Sequence, residues 1–492
     1  MSELRSEMSD SRLALSDGQP DDRGIPLFVD LDGTLVKSDL LIESYLTLLK
    51  SHPIVSLLAF AWLLRGKPYL KSKIAERVDI APDTLPYQIE FLDFLQVEAA
   101  RGRPLFLATA SNEKYAQSVA QHLGIFRGVL GSTSGANLKG RRKLEEIQKV
   151  CSGPHFDYAG NGYADLEIWR YARQAILVNP EFGLEAAAGK LARIGRIFDD
   201  RAGRLRSYFE AIRVHQWVKN LLIFVPLLTA HAWYVSAVMN SLMAFLAFSF
   251  TASATYVLND FLDLQSDRSH WRKRTRSLAS GSVPLGHGLV LMFFSLAAGL
   301  AIGWSLSPLF LATLLSYLAI TLLYSFRLKE YALIDIFVLA GLYTLRLMAG
   351  AVVIGVVLSF WLLAFSMFIF LSLALIKHCS ELTAMIHFGR GDARGRDYQV
   401  PDLAYLSAMG TASGYASILV LALFVNSPDV TLRYSEPRLL WLLCPLFLYW
   451  ISRLWIKTGR GEMHDDPVVF TIKDRGSRYV IVSAIAIVLL AL

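Results

Sequence analysis

Short apolar runs alternate with helix-like stretches over roughly the first two hundred residues, and long apolar runs fill most of the remainder. Pro26-Leu-Phe-Val-Asp-Leu-Asp-Gly-Thr-Leu35 reads as a short buried strand entering a glycine turn. Pro104-Leu-Phe-Leu-Ala-Thr-Ala-Ser111, Phe156-Asp-Tyr-Ala-Gly160 and Ala175-Ile-Leu-Val178 have the same character, with Asn112 to Leu123 and Arg142 to Val150 as helices between them. That rhythm predicts an α/β domain, a doubly wound parallel sheet that binds ligands at the carboxyl ends of its strands. Leu40 to about Asp79 breaks the rhythm by being helical throughout, and a small helical cap over about residues 40–100 is expected. Inside it, Ile54-Val-Ser-Leu-Leu-Ala-Phe-Ala-Trp-Leu-Leu64 is too short to span a bilayer. It either caps the first domain or docks on the membrane surface or on the second domain.

Apolar segments near 220–238, 239–258, 287–304, 308–326, 332–354, 356–376, 403–425, 439–456 and 479–492 predict an all-α bundle of about nine transmembrane helices. The expected organisation is a disordered leader over 1–24, the α/β domain over 25–198, a linker with an amphipathic lead-in over 199–218, and the bundle over 219–492. No solenoid-type repeat is visible.

Composition agrees: 54% of residues are hydrophobic and 18% charged, against roughly 45–50% and about 25% in soluble domains. Disorder, a secreted disulfide scaffold and a coiled coil are excluded. Cys151, Cys379 and Cys444 are far apart, so neither a zinc knuckle nor a disulfide framework is on offer, and a reducing compartment is expected. The net charge of +7 does not point to nucleic acid, because the basic residues gather beside apolar segments. Arg268, Arg272, Lys273, Arg274 and Arg276, then Lys377, Arg390, Arg394 and Arg396, then Lys457, Arg460, Lys473, Arg475 and Arg478 fall in alternate loops, whereas the other loops carry only Arg433 and Arg438. The first twenty residues lack a signal-peptide core. A multi-pass protein of the cell (inner) membrane follows, with the N-terminal domain and active sites cytoplasmic.

Two constellations carry chemistry. Asp30-Leu-Asp32-Gly-Thr34 puts two carboxylates on one side of a strand end, with a glycine that lets backbone approach a phosphate. One carboxylate can attack phosphorus while the other handles the proton and a divalent cation neutralises charge. Thr109 can donate to a phosphoryl oxygen, Lys143 or Lys139 can supply a cation, and Gly160-Asn161-Gly-Tyr-Ala-Asp165 ends a further strand. Together these motifs resemble those of the haloacid dehalogenase (HAD) phosphatase superfamily over about residues 25–198. The resemblance implies Asp30 as nucleophile, Asp32 as acid/base, Thr109 and Lys143 as phosphate ligands, and Asp30, Asp32, Asn161 and Asp165 as the Mg²⁺ site. The family's fourth motif is GDxxxD; here Asn161 replaces the first aspartate, which removes one anionic ligand. A P-type ATPase reading is set aside, because the motif is not DKTGT and precedes every span.

In the second constellation, Asn259-Asp260-Phe-Leu-Asp263-Leu-Gln-Ser-Asp267 follows the second expected span. On a continuous helix Asp260, Asp263 and Asp267 would share one face, suited to magnesium and a diphosphate, with Arg276 and its basic neighbours following to meet phosphate. Further along come Tyr324-Ser-Phe-Arg-Leu-Lys329, Asp335 and Arg346. Tyr324 suits an aromatic belt and Lys329 a snorkelling anchor. Asp335 and Arg346 lie inside apolar sequence, too far apart on one helix to touch; they either pair with other groups or face a polar cavity, and the cavity is the expectation. Lys377 to Asp402 is a polar loop that is either a positive-inside loop or a cover for the cavity mouth.

NDxxDxxxD at Asn259 to Asp267, Ala279-Ser-Gly281 and the number of spans resemble the UbiA superfamily of intramembrane prenyltransferases over about residues 210–492. His215-Gln-Trp-Val-Lys-Asn220, Tyr324 to Lys329, Asp335 and Glu381 resemble its decaprenyl-phosphate phosphoribosyltransferase branch. That resemblance implies Asp260, Asp263 and Asp267 as Mg²⁺ and pyrophosphate ligands, and Lys219, Asn259, Arg276, Tyr324, Lys329, Asp335 and Arg346 on the substrates. The implied partners are a polyprenyl phosphate or diphosphate lipid with phosphoribosyl pyrophosphate or an aromatic acceptor. Transfer of 5-phosphoribose to polyprenyl phosphate, with a fused phosphatase to remove the 5-phosphate, is the leading expectation. Prenyl transfer to an aromatic ring is the alternative, against which stands Tyr331 where that branch has a carboxylate. A lipid-binding or transport bundle without chemistry is a further alternative.

Overall fold

The computed structural model describes residues 24–151, 153, 155–200, 204–270, 273–387, 398–427, 430, 434–463 and 466–492. The leader, Arg272, Arg390, Arg394, Arg396 and Arg433 lie outside the described residues, apart from Gly24 at the end of the leader. The chain divides into two compact units: residues 1–211 with 260–290, and residues 212–259 with 291–492.

In the first unit, β1 (Leu27–Val29), β2 (Leu105–Asn112), β3 (Gly128–Ser132), β4 (Asp157–Gly160), β5 (Gln174–Val178) and β6 (Arg193–Phe198) form one parallel sheet. Its order is β3-β2-β1-β4-β5-β6. The chain leaves β1 towards β2 and β3 and returns to its other side with β4, so the end of β1 lies at the switch point where ligands bind. Successive β1 side chains enter opposite cores, as strand alternation requires. Leu27 and Val29 join Leu107, Phe91 and Leu95, while Phe28 joins Tyr158, Ile147 and Trp169. These apolar runs are buried on both faces, which is why they read as continuous and not alternating.

Between β1 and β2 the cap is helical as expected, in the pieces Leu40–Ser51, Pro53–Ser56, Leu58–Leu64, Lys67–Ala75 and Ile89–Ala100. The first begins at Asp39, whose carboxylate accepts from the amides of Leu41 and Ile42. Residues 260–290 pack as part of this unit. Arg268, on the helix Leu264–Ser269, makes a buried two-point ion pair with Glu43 of the first cap helix at 2.7 and 3.0 Å, and donates to the Ala279 carbonyl. Gly281 has φ +74°, and a Cβ there would lie 2.6 Å from Lys37 Cβ, so glycine is required at this approach.

The second unit is a helical membrane bundle. Among the described residues, seven helices are long and apolar enough to cross a membrane: Val235–Leu262, Leu285–Leu306, Pro308–Phe326, Ile334–Ile354, Phe360–Ile386, Asp402–Val425 and Pro437–Gly459. Two of them, Val235–Leu262 and Leu285–Leu306, run across the division between the units. Two of the nine expected segments fall outside this set. Over 220–238 the chain is broken into a 3-10 helix, Val214–Phe224, and a five-residue helix, Val225–Thr229, with Pro226 at its start. The last segment is a helix of 17 residues, Arg475–Ala491. The bundle's interior includes Phe248, Phe310 and Leu314 on one side and Ile376, Ile451 and Leu454 on another. Small residues set the closest approaches: a Cβ on Gly350 would lie 2.1 Å from the Ile223 carbonyl oxygen.

Candidate functional site

At the end of β1, Asp30 is nearly buried and its Oδ1 accepts from Lys143 Nζ at 2.8 Å. Lys143 enters from the helix Arg141–Val150 and also donates to the Tyr158 hydroxyl, which donates to Asp165 Oδ1, each at 2.9 Å. Of the two candidate lysines, the structure thus brings Lys143 to the site, while Lys139 is exposed. Asp165 Oδ2 accepts from the amides of Asn161 and Gly162, which fixes the loop after β4. The Asn161 side chain packs against Gly33, where a Cβ would lie 2.3 Å from its Nδ2, and Gly33 has φ +74°.

Asp32 accepts from the Leu40 amide at 3.0 Å and from the Ser111 hydroxyl. Burial, reinforced by Asp39, pushes its carboxyl up to about 7, the range in which a carboxyl can both give and take a proton near neutrality. Burial also raises Asp30, against the lowering pull of Lys143. Thr109 is buried on β2, its Oγ1 accepting from the Ser111 amide at 3.0 Å. From the cap, Lys71 donates to the Ala110 carbonyl and, at 3.4 Å, to Asn137. Sequence reasoning missed Ser111, Tyr158 and Lys71. Ser111 stands two residues past Thr109, on the same side of the strand, which is a usable signal; Lys71 sits in a helix with no motif around it.

The acidic segment differs from expectation in one respect. The helix ends at Leu262, Asp263 is non-helical (φ −97°, ψ 8°) and a new helix starts at Leu264. The three carboxylates therefore do not share one helical face, which corrects that expectation. Asp260 and Asp267, both buried, converge on Arg276 Nη1 at 3.1 and 2.6 Å. Asp263 lies 3.4 Å from Lys50 of the cap. Burial raises the Asp267 carboxyl, while Arg276 pulls it down.

Among the described residues, no group of three or more His, Cys, Asp or Glu side chains is gathered to hold a metal ion. The pair Asp260 and Asp267 nevertheless fits one by its chemistry. Two buried carboxylates stand together beside Arg276, and one or two carboxylates completed by phosphate oxygens is how Mg²⁺ is usually held. In the strand-end site, Asp30 and Asp32 offer two carboxylates beside the Asn161 side chain, whereas both oxygens of Asp165 are taken up by its own loop and Tyr158.

In the second unit, Lys219 pairs with Asp466 at 2.7 Å, and Tyr343 reaches the same carboxylate at 3.4 Å. Arg346 donates to Asn220 at 2.8 Å, to the Leu342 carbonyl and to Tyr317 at 3.1 Å, and its guanidinium lies over the rings of Tyr317 and Tyr343. Lys219 and Arg346 therefore belong to one polar network, in which Asn220 was given no role beyond closing a motif and Tyr317, Tyr343 and Asp466 went unnoticed in the sequence. Asp335 has partners of its own: Tyr398 donates to it and His378 Nε2 lies 3.2 Å away. The expectation that Asp335 and Arg346 face a cavity gives way to pairing with other groups. Asn259 and Lys329 are half-buried, as is Tyr324 on the helix Pro308–Phe326.

Residues 221–473 match the model of the UbiA prenyltransferase family. An uncharacterised protein of Sinorhizobium fredii is 37% identical over 93% of this chain and 89% of its own length, an alignment long enough to include both units. The decaprenyl-phosphate phosphoribosyltransferase of Mycobacterium tuberculosis is 34% identical over 45% of this chain and 74% of its own. Among solved structures, a HAD family hydrolase of Salmonella enterica aligns with 36% of this chain and 68% of its own at 12% identity and a TM-score of 0.28.

Proposed function

The chain belongs to the UbiA prenyltransferase family, and on that premise we propose that it transfers 5-phosphoribose from phosphoribosyl pyrophosphate to a polyprenyl phosphate and then removes the 5-phosphate. The observation that carries the first step is the buried pair Asp260 and Asp267 sharing Arg276. Two buried carboxylates beside an arginine form a donor set that suits a magnesium-bound diphosphate, with the carboxylates meeting the metal and Arg276 the phosphate oxygens. In the transfer, the bond from ribose C1 to the pyrophosphate oxygen breaks, and a phosphate oxygen of the lipid forms the new bond to C1. Asp260, Asp263 and Asp267 would hold Mg²⁺, which neutralises the departing pyrophosphate when bound. Lys219, Asn259, Arg276, Tyr324, Lys329, Asp335 and Arg346 are assigned to substrate, and the likeness to the mycobacterial phosphoribosyltransferase supports this choice of donor.

The strand-end site suits the second step. Asp30 attacks the 5-phosphate, forming a phosphorus–oxygen bond as the ester bond breaks, and Asp32 gives its proton to the departing 5-oxygen. Water then attacks the aspartyl phosphate, returns a proton to Asp32 and frees Asp30. Lys143 and Thr109 hold the phosphoryl oxygens, Asp30, Asp32 and Asn161 would hold the metal, and Asp165 is assigned with them through the loop it fixes. Removing the 5-phosphate makes the reversible transfer run forward, and one chain carrying both activities gives millimolar-range effective concentration for the shared intermediate. Both active sites are assigned to the cytoplasmic face. Detergent-purified protein given Mg²⁺, polyprenyl phosphate and phosphoribosyl pyrophosphate should release pyrophosphate and inorganic phosphate in equal amounts; absence of any lipid-dependent pyrophosphate would reject the reading.

A further inference from the structure

The apolar stretch of the cap folds as two short helices, Pro53–Ser56 and Leu58–Leu64, with two unlike faces. Val55 and Trp62 turn inward onto a small cluster of Leu48, Ile74 and Val78, and Ala59 is buried. The other face consists of Ile54, Leu57, Leu58, Phe60, Leu63 and Leu64, each between 46% and 90% exposed. Single exposed leucines are ordinary, but a contiguous group of six large apolar side chains marks a surface that binds something.

Two observations say what. Along this part of the chain the charge is mostly of one sign: from Lys50 to Arg77, Lys50, Arg65, Lys67, Lys73 and Arg77 stand against the single acid Glu76, with Lys71 turned to the strand-end site. Arg77 lies over the ring of Trp62 and Arg65 over that of Tyr69, so basic groups flank the apolar helices. An apolar face bordered by lysine and arginine is the composition of a segment that lies in an anionic lipid interface. Its length agrees. The twelve residues Pro53–Leu64 would reach about 18 Å even as one helix, short of the roughly 30 Å hydrocarbon core, so the stretch can lie in the interface and not cross it. The unit that bears it is also joined by three chain crossings, after Ala211, before Asp260 and after Val290, to a membrane bundle, so lipid is its constant neighbour.

We propose that the Pro53–Leu64 helices are a monotopic docking face that buries Ile54, Leu57, Phe60 and Leu64 among anionic lipids. The full chain, with its three cysteines replaced by serine, is labelled with a nitroxide at F60C or, as an aqueous control, at K190C, and reconstituted in nanodiscs containing phosphatidylglycerol. Collision with oxygen should exceed collision with a water-soluble nickel chelate several-fold at position 60, and the ratio should reverse at 190. Nickel-dominated accessibility at both sites would overturn the proposal. Dipolar broadening between labels at position 60 would overturn it in favour of a second copy of the chain. Independently of the cysteine replacements, amides of residues 53–65 in the unmodified protein should exchange hydrogen several-fold more slowly in anionic than in zwitterionic nanodiscs, and equal rates would contradict the lipid assignment.

Discussion

At the ends of β1 and β4, Asp30 meets Lys143 at 2.8 Å and Lys143 is tied through Tyr158 to Asp165, all from regular strands, a regular helix and the tight loop that follows β4. Asp260 and Asp267 meet Arg276 from a helix end, the helix beyond a break, and a loop. Both regions bury carboxylates against one cation, but they obtain the geometry differently. In the first, the hydrogen-bonded backbone of strand ends, a regular helix and a tight loop fixes the Cα positions, and the side chains need only be the right kind. In the second, the position of Asp267 depends on tertiary contacts such as the Glu43–Arg268 ion pair and the approach of Gly281 to Lys37. A site of the first kind is expected to lose chemistry without losing shape when a residue is changed, and a site of the second kind to lose both.

Asp30→Asn should show the first behaviour at its largest. Removing the nucleophile is expected to lower 5-phosphate release by about 10⁴-fold or more, with the lipid product accumulating in its phosphorylated form; because Lys143 is left buried without its carboxylate, the melting temperature should also fall, while phosphoribosyl transfer continues. Loss of both activities together would break the comparison. Asp267→Asn should reduce phosphoribosyl transfer about 10³-fold, read as lipid-dependent pyrophosphate release, while hydrolysis of a small phosphate ester continues. Glu43→Gln leaves Arg268 charged and buried without its carboxylate, at a cost of about 3–5 kcal/mol. Thermal unfolding should move down accordingly and transfer should fall, although Glu43 touches no substrate in this account; an unchanged midpoint would show that the acidic segment holds its own shape. Tyr158→Phe is the mildest. It removes the hydroxyl joining Lys143 to Asp165, worth about 1–1.5 kcal/mol, so dephosphorylation should slow roughly tenfold and transfer should not respond.

The same contrast explains what could be read from the sequence. Asp30, Asp32 and Thr109 were legible because short apolar runs ending in polar residues can form little else than buried parallel strands, and strand alternation then places their ends. Ser111 follows from that alternation, whereas Lys143, on a helix, was separated from Lys139 only by the family resemblance. Lys71 does not follow, because its helix is tied to the site by no motif, and Tyr158, on the strand that leads into Gly160, sits in an apolar run where its hydroxyl carries no signal. In the acidic segment the residue types were legible and their arrangement was not. A regular helix through Asp260, Asp263 and Asp267 is the simplest local expectation, and the break at Asp263 is seen only alongside Lys50, Glu43 and Arg268. In the bundle, the segment expected over 220–238 shows the same limit: hydropathy does not register that Pro226 and 3-10 geometry divide it, nor that Ile223 packs against Gly350.

If one chain both attaches a phosphorylated ribose to a lipid and removes its phosphate, mass spectrometry of the lipid formed from polyprenyl phosphate, phosphoribosyl pyrophosphate and Mg²⁺ will show it. Native protein should yield a ribosylated lipid without the 5-phosphate, and Asp30→Asn the phosphorylated form. A native product that keeps its phosphate would contradict the second activity, and lipid modified only when an aromatic acceptor is supplied would contradict the first.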